Sequence, residues 1–267
     1  MNILEEIIQF KYQEVAERKR ITPGKTLEQA IHFNRPVVSM KECILQPDKT
    51  GIIAEIKRKS PSKGIINGSI SVEDIARGYT QAGVSGLSVL TDLKYFGGTN
   101  EDLMAARASG DCPILRKDFV VDEYQILEAK AIGADVILLI AAALKPNLLK
   151  RLAEFAHALK LEVLLEIHNE REWEDNAGAR IDMLGVNNRD LKTFITDTAV
   201  SIRLAEKIPA TMVKVSESGI ENPETIIELR KHGYKGFLMG QSFMQNHSPE
   251  KACQEFVNRL RKMESEV

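Results

Sequence analysis

Beyond residue 50, short apolar segments alternate with longer amphipathic stretches, and this alternation constrains the fold more than any other feature of the sequence. Near-continuous apolar segments are typical of strands that are buried on both faces of a parallel sheet. From the second segment onward they begin 20 to 30 residues apart, which is about the length of one strand–helix unit. The eight segments are residues 51–57, 86–92, 113–118, 134–140, 161–168, 181–188, 211–218 and 236–242.

Eight such units in about 215 residues predict an α/β fold, a closed (βα)8 TIM barrel. We expect a single domain in which residues 1–50 form an N-terminal helical extension and residues 51–267 form the barrel. An open, doubly wound sheet is the alternative, but no GxGxxG motif follows the first strand. Glycines, which are favoured just past a helix end, precede several strands: Gly83, Gly110, Gly133, Gly178 and Gly233.

Ahead of the first strand, apolar residues recur at helical spacing over roughly the first twenty residues, which predicts an amphipathic helix. A second helix is expected over residues 26–32, after the Thr-Pro-Gly breaker at 22–24. Glu5 and Glu6 stand where a secretory signal would be apolar, so we expect no such signal.

Composition limits the cellular setting and the partners. A net charge of −2 gives no general footprint for nucleic acid, and the longest apolar run, residues 136–144, is too short to span a bilayer. The three cysteines are far apart and form no CxxC pair, which favours a reducing compartment. We expect a cytoplasmic protein that binds a small molecule and neither nucleic acid nor membrane, with a monomer as the simplest oligomeric state.

Polar residues follow nearly every predicted strand, at the end where barrel enzymes carry their active sites. One strand-end charge alone would simply be reaching water, whereas charges repeated at several strand ends converge on one mouth. The fourth strand ends without a polar residue or a charge. The strand-end residues are Glu55 and Lys57, Thr91 and Asp92, Lys117 and Asp118, Leu138 and Ile140, Glu166 and His168, Asn187 and Arg189, Glu217 and Ser218, and Gly240 and Gln241.

Two segments suit a phosphate group. Residues 216–220 follow the seventh strand and residues 239–242 the eighth, and the loops after these strands form the usual phosphate site of a barrel. Gly219 and Gly240 permit close approach of the backbone. Two tight turns without a ligand are the alternative.

The first loop, residues 57–64, carries four cations and a Ser-Pro-Ser sequence that includes Ser60. It is either a solvated basic loop, a modification site, or a loop that closes over an anionic substrate. The histidines are scattered, so only the Glu166 and His168 pair hints at a metal, and we expect none. Cys112 precedes a strand start, which does not suit a nucleophile.

An ordered set of segments resembles the indole-3-glycerol phosphate synthase family. The matching segments are residues 54–64, 90–98, 114–121, 164–169, 185–191, 215–220 and 237–244. The family closes the ring of 1-(2-carboxyphenylamino)-1-deoxyribulose 5-phosphate, releases CO2 and then water, and forms indole-3-glycerol phosphate. The resemblance implies a phosphorylated small-molecule substrate and no metal or organic cofactor.

The resemblance also implies roles for individual residues. Lys117 corresponds to the family's lysine acid, Glu166 to its general base or acid, and Glu55 and Lys57 to its Glu-x-Lys pair. Gln241 departs from the family, where Ser or Glu is commoner. Substrate-binding positions are Ser60, Phe96, Phe119, Leu138, Asn187, Arg189 and Glu217, and phosphate-binding positions are Ser218, Gly219, Gly240 and Gln241.

The chemistry explains the need for a lysine, because the ketone oxygen gains negative charge as the ring carbon attacks it. We expect the pKa of Lys117 to be lowered by the neighbouring cations Arg116 and Lys57, or by an apolar wall of Phe119 and Phe96.

Other roles stay open. Arg189 or Lys57 could hold the benzoate carboxylate, and Glu166 and Glu55 compete as acid and base for the dehydration. The rival functions are a sugar-phosphate isomerase on the same fold, such as phosphoribosylanthranilate isomerase, and a non-catalytic phosphate-binding barrel. The Glu-x-Lys lysine, Lys57, and the Lys-Asp-Phe sequence that begins at Lys117 speak against the isomerase, and the presence of both Lys117 and Glu166 speaks against the non-catalytic barrel.

Overall fold

Eight parallel strands close into a barrel in the computed structural model, which describes residues 3–191 and 193–266. Each strand pairs with the next along the chain, and the last pairs with the first, so the predicted barrel is confirmed and the open sheet is wrong. The strands are β1 Ile52–Ile56, β2 Gly86–Leu90, β3 Ile114–Lys117, β4 Val136–Ile140, β5 Glu162–Ile167, β6 Met183–Asn187, β7 Val213–Glu217 and β8 Tyr234–Met239.

Seven predicted segments contain one strand each, and β8 begins two residues before its segment. Helices follow the strands and cover the barrel. Gly83 and Gly133 end two of them in the left-handed conformation, as expected from the sequence, whereas Gly178 does not have a positive φ. The helices are α1 Ile3–Ile21, α2 Gly24–Leu27, α3 Met40–Leu45, α4 Val72–Ala82, α5 Leu93–Phe96, α6 Asn100–Ala108, α7 Glu123–Ile132, α8 Pro146–Ala158, α9 Glu170–Asn176, α10 Ala199–Ala205, α11 Pro223–Lys231, α12 Gln241–Met244 and α13 Pro249–Ser265.

The N-terminal extension contains α1, α2 and α3. The long first helix is confirmed, but the second prediction is wrong, because α2 ends at Leu27 and turns follow it. Short helices depend on packing of an apolar face, and Ile31 in this stretch is exposed. None of the helices in the described ranges combines the length and the hydropathy needed to cross a bilayer.

Helix α3, which the sequence did not predict, closes the N-terminal end of the barrel. Met40 is fully buried and packs with the strand side chains that fill the barrel interior. A Cβ atom at Gly86 would lie 2.6 Å from the Met40 methyl carbon, so this glycine leaves room for the Met40 side chain, which plugs the barrel end. Glu162 fixes the start of the helix, since its carboxylate accepts the backbone N–H groups of Met40 and Lys41.

Helix α1 lies against the other end and carries a buried cation. Lys11 is fully buried, and its Nζ lies 2.7 Å from Glu14, 2.8 Å from Asp92 and 2.9 Å from Asp118. Asp92 and Asp118 follow β2 and β3, so this lysine joins the extension to two strand ends. Burial alone would lower the pKa of Lys11, but the carboxylates outweigh it and raise that pKa.

We expect Lys11→Met to lower the free energy of unfolding by about 3–5 kcal/mol, because it leaves the buried carboxylate of Asp92 without a counter-charge and that of Asp118 with Arg116 alone. Urea denaturation measures the loss. Lys19→Met is the matched control, since Lys19 is also in α1 but pairs with Asp122 at 2.7 Å on the surface. We expect this variant to lower the free energy of unfolding by about 1 kcal/mol or less. Equal losses in the two variants would contradict the prediction.

Candidate active site

A cavity of about 700 Å³ opens at the C-terminal end of the barrel. All fifteen site residues proposed from the sequence line it, so the strand ends converge as expected. They are Glu55, Lys57, Ser60, Phe96, Lys117, Phe119, Leu138, Glu166, Asn187, Arg189, Glu217, Ser218, Gly219, Gly240 and Gln241.

Lys117 stands at the centre of the charged groups in this cavity. Its Nζ lies 2.7 Å from Glu166 Oε2 and 2.8 Å from Glu217 Oε2. Lysine and carboxylates come from β3, β5 and β7, and Glu55 on β1 adds a further carboxylate. In a barrel, alternate strands point their side chains into one interior layer, which explains why these four meet.

The pKa of Lys117 corrects one expectation. Burial alone would lower it, but the carboxylates of Glu166 and Glu217 outweigh burial and raise it well above its ordinary value. Arg116 cannot lower this pKa, because successive strand residues point to opposite faces. Its guanidinium is fully buried on the outer face, where it binds Asp118 at 3.2 Å and Glu128 at 2.5 Å.

The two carboxylates around Lys117 are shifted in opposite directions. Burial raises the pKa of both, but Lys117 and His168 outweigh it at Glu166 and lower that pKa to about 2. At Glu217 burial is the larger effect, and the nearby Glu166 charge adds to it, so the pKa rises to about 7. The site therefore holds one firmly ionised carboxylate and one that takes up a proton near neutral pH.

Lys57 and Glu55 form a second ion pair, with 2.5 Å between Lys57 Nζ and Glu55 Oε1. Two glycines make room for the carboxylates. A Cβ at Gly240 would lie 2.7 Å from Glu55 Oε1, and a Cβ at Gly185 would lie 2.2 Å from Glu217 Oε1. Sequence reasoning missed Gly185, because its role depends on a side chain from the neighbouring strand.

The segments after β7 and β8 have the backbone conformation expected of an anion site. Ser218 and Gly219 both have positive φ, at 68° and 78°, and successive residues of this kind turn their N–H groups toward one side. After β8, Gly240 precedes the start of α12, where the first N–H groups of a helix lack partners within it. Gln241 is the first residue of that helix.

Asn187 and Arg189 follow β6 and connect the two parts of the site. Asn187 Nδ2 donates to Glu166 Oε1 at 3.1 Å, which fixes the carboxylate from the side opposite Lys117. Arg189 donates to Ser62 at 3.3 Å and to Gln241 Oε1 at 3.5 Å, both neutral side chains. Its guanidinium thus lies between the first loop and the segment after β8.

An apolar wall closes the remaining side of the cavity. The rings of Phe96 and Phe119 lie 5.9 Å apart, and Leu138 lies on the same cavity lining. Sequence reasoning missed the residues that other segments add to this lining, because nothing local indicates that α1 covers the mouth. They are Ile3, Leu4 and Ile7 from α1, and Leu191 and Phe194 from the loop after β6.

The first loop is more ordered than a solvated basic loop. Lys59–Ser60 pairs with Gly64–Ile65 in a two-stranded hairpin, and Arg58 binds the Asp102 carboxylate in α6. Of the four cations, Lys57 and Lys63 line the cavity.

The Glu166 and His168 pair does not extend to a metal cluster. Within residues 3–191 and 193–266, no group of three or more His, Cys, Asp or Glu side chains could hold a metal ion.

Comparisons with known proteins match the chain over nearly its whole length. The family model described as indole-3-glycerol phosphate synthase matches residues 4–256. The chain is 48% identical over 259 residues to the indole-3-glycerol phosphate synthase of Bacteroides thetaiotaomicron, covering 97% of this chain and 99% of the relative. It is 42% identical over 259 residues to that of Caldanaerobacter subterraneus, with the same coverage.

Solved structures at low identity share the fold. An N-acetylmannosamine-6-phosphate 2-epimerase from Clostridium perfringens has a TM-score of 0.61 at 14% identity, covering 84% of this chain and 97% of that chain. A chain from the tryptophan synthase α2β2 complex of Pyrococcus furiosus has a TM-score of 0.58 at 14% identity, covering 80% of this chain and 99% of that chain.

We expect the free energy of unfolding of the wild type to fall as the pH rises, and we expect Glu217→Gln to abolish this part of its pH dependence. Folding raises the pKa of Glu217 to about 7, so the folded state binds a proton that the unfolded state has already released. The stabilisation is full below the ordinary glutamate pKa and is lost as the pH approaches 7. Between pH 5 and pH 8, the variant should gain on the order of 2 kcal/mol relative to the wild type.

Urea denaturation at the two pH values checks this result, with exposed Glu221→Gln on the same rim as the control. An equal pH dependence in wild type and Glu217→Gln would show that Glu217 is ionised throughout.

Proposed function

The chain belongs to the indole-3-glycerol phosphate synthase family, and we propose that its barrel mouth performs the family's reaction with Lys117 as the acid. The reaction is that of a carboxy-lyase of tryptophan biosynthesis. It converts 1-(2-carboxyphenylamino)-1-deoxyribulose 5-phosphate to indole-3-glycerol phosphate, CO2 and water. The observation that carries the assignment of roles is the position of Lys117 Nζ between Glu166 and Glu217, inside a cavity of about 700 Å³.

In the ring closure, the aromatic carbon that bears the carboxylate attacks the ketone, and the ketone oxygen becomes negative. Lys117 gives its proton to that oxygen. Glu166 and Glu217 keep the lysine protonated before the reaction, because they raise its pKa. The developing alkoxide is a much stronger base than the amine, so a lysine with a raised pKa still donates.

The benzoate carboxylate needs a cation that is not already neutralised by the protein. Lys57 is paired with Glu55 at 2.5 Å, whereas the hydrogen bonds of Arg189 to Ser62 and Gln241 involve neutral partners. We therefore assign the carboxylate to Arg189, which can hold it through two parallel N–H groups. The apolar wall of Phe96 and Phe119 suits the aromatic ring.

Dehydration requires a base for the proton on nitrogen and an acid for the departing hydroxyl. Glu166 suits the base, because it is ionised at neutral pH and becomes more basic once Lys117, whose charge lowers its pKa, has given up its proton. The ammonium group of Lys57, supported by Glu55, suits the acid. Glu217, with a pKa near 7, is able to carry the proton that the site must exchange with water.

The phosphate is assigned to the backbone N–H groups of Ser218 and Gly219 after β7 and of Gly240 and Gln241 after β8. The positive φ of Ser218 and Gly219 supports this assignment. Binding through backbone groups also explains why Gln can stand at position 241, since the side chain is not needed for the contact.

We also propose that the protein works as a monomer in the cytoplasm. The strand ends and loops of a single barrel supply all fifteen proposed site residues, which supports a site that is complete within one copy. Cys43, Cys112 and Cys253 are free thiols, which suits a reducing compartment.

We expect Lys117→Met to lower kcat about a thousandfold, because general acid catalysis by a positioned group contributes about 10²–10⁴. An assay of indole fluorescence with the carboxyphenylamino-deoxyribulose phosphate measures the rate, and circular dichroism verifies the fold. Lys59→Met is the matched control, since Lys59 lies in the first loop and donates to the Lys94 carbonyl outside the cavity. A Lys117→Met enzyme with most of its kcat would refute the acid role.

We expect Arg189→Met to weaken binding of the carboxylate end of the substrate while leaving binding of the phosphate end almost unchanged. Inhibition by 2-aminobenzoate should weaken about tenfold or more, the size of one charge-assisted hydrogen bond, while inhibition by inorganic phosphate should change less than about twofold. Inhibition constants for both anions, measured on wild type and variant, test this. If phosphate inhibition weakened instead, Arg189 would belong to the phosphate end, next to Gln241.

A further inference from the structure

His168 lies directly after β5, two residues beyond Glu166, and the reaction steps above do not use it. Its ring is placed between two carboxylates. Nδ1 lies 3.3 Å from Glu172 Oε2, and Nε2 lies 3.5 Å from Glu166 Oε1. The side chain is only 11% exposed, so water contributes little to satisfying either nitrogen.

Glu172 is itself held firmly. It is the third residue of α9, and its backbone N–H donates to Oδ1 of the helix-capping Asn169 at 3.0 Å. Its carboxylate accepts Asn169 Nδ2 at 2.7 Å and the backbone N–H of His168 at 2.7 Å. The start of the helix therefore fixes the carboxylate that faces His168 Nδ1, and with it the orientation of the ring.

The geometry decides the protonation state of the ring. A neutral imidazole has one N–H, so either tautomer would direct a lone pair at one of the two carboxylates. Only the imidazolium, with both N–H groups, suits Glu166 and Glu172 together. Nε2 has no hydrogen-bond partner within the described residues, and closing the gap of 3.5 Å by a few tenths of an ångström would form a bond to Glu166.

We propose that His168 is a positioning residue for Glu166: as an imidazolium fixed by Glu172, it holds the Glu166 carboxylate in place beside Lys117. The proposal rests on the role of Glu166 as the base in the proposed function.

The surrounding charges support a cationic ring. Burial would lower the pKa of His168, but Glu172 and Glu166 outweigh it, and Glu217 on β7 acts in the same direction, so the pKa is raised. Lys117 on β3 binds the other oxygen of Glu166. The positive charge of Lys117, and after it that of His168, lowers the pKa of Glu166.

A second cation on Glu166 matters during the first step. When Lys117 gives its proton to the ketone oxygen, it loses its charge, and Glu166 then keeps only Asn187 and His168 as partners. An imidazolium at Nε2 would keep the carboxylate ionised and aligned until the base is needed. A ring without that proton would not.

Kinetics of two variants test the proposal. Glutamine at position 168 places an uncharged N–H near the Nε2 position, whereas asparagine places one near Nδ1 only. We expect His168→Asn to lower kcat about tenfold or more with little change in KM, and His168→Gln to lose less. In both, the acid limb of the kcat pH profile should move up by about one unit, because Glu166 loses a neighbouring positive charge.

His157→Gln is the matched control. Its ring also faces a carboxylate, with Nε2 2.8 Å from Asp182, but it lies in the last turn of α8, and Asp182, unlike Glu166, does not line the cavity. Its kcat and pH profile should stay within about twofold of the wild type. Unchanged kcat and an unmoved acid limb in His168→Asn would overturn the proposal, and His168→Gln decides the question if the asparagine variant does not fold.

A second measurement does not depend on turnover. Proton–nitrogen correlation spectra of the five imidazoles, assigned with His168→Gln, give the protonation state of each ring as a function of pH. We expect His168 to be doubly protonated at pH 7 and to titrate lower in both Glu166→Gln and Glu172→Gln. A single neutral tautomer at pH 7 would overturn the proposal. If the wild type formed no indole product, the proposed function would fail, while these spectra would still report the state of the ring.

Discussion

The arrangement of charges in the barrel mouth depends on one lysine that lies between two buried carboxylates. Charges taken out of water are stable only when they are paired, so Lys117, Glu166 and Glu217 form a set in which each requires the others. The three come from separate strands, and barrel closure is what brings those strands together. The fold and the chemistry are therefore linked through electrostatics: the barrel gathers the charges, and their pairing sets which groups hold protons before substrate binds.

Pairing also explains the neighbours of Lys117 in sequence. Arg116 and Asp118 point to the outer face, where they join a second buried cluster with Lys11 and Glu128. Three consecutive charged residues thus serve two networks, one in the mouth and one beneath the N-terminal helix. The backbone of one strand end is common to both, so helix α1 and the Lys117 side chain are attached to the same short segment.

The sequence predicted what depends on pattern and failed where the outcome depends on partners across the barrel. Eight apolar segments and the rule of C-terminal strand ends collected most of the cavity residues, and the resemblance added Ser60, Phe96 and Phe119. The rule also collected Thr91, Asp92 and His168, which do not line the cavity. The direction of Arg116 also follows from strand alternation, yet its adjacency to Lys117 in sequence led to the wrong expectation that its charge would act on that lysine. The raised pKa of Lys117, the space left by Gly185 and the apolar residues of α1 all require knowledge of which distant segments meet. So does the plug formed by Met40, which belongs to a helix too short to be evident from periodicity.

The extension has a consequence for what counts as the folding unit. The eight strands form a complete ring without the extension, yet the extension contributes a buried residue at each end of the barrel. Met40 packs into the N-terminal end, and Lys11 pairs with Asp92 and Asp118 near the C-terminal end. Without these residues, the interior apolar side chains that pack against Met40 would be exposed, Asp92 would lack Lys11, and Asp118 would face Arg116 alone. Closure of the hydrogen-bonded ring and burial of its interior are thus separate properties, and the second depends here on residues outside the ring.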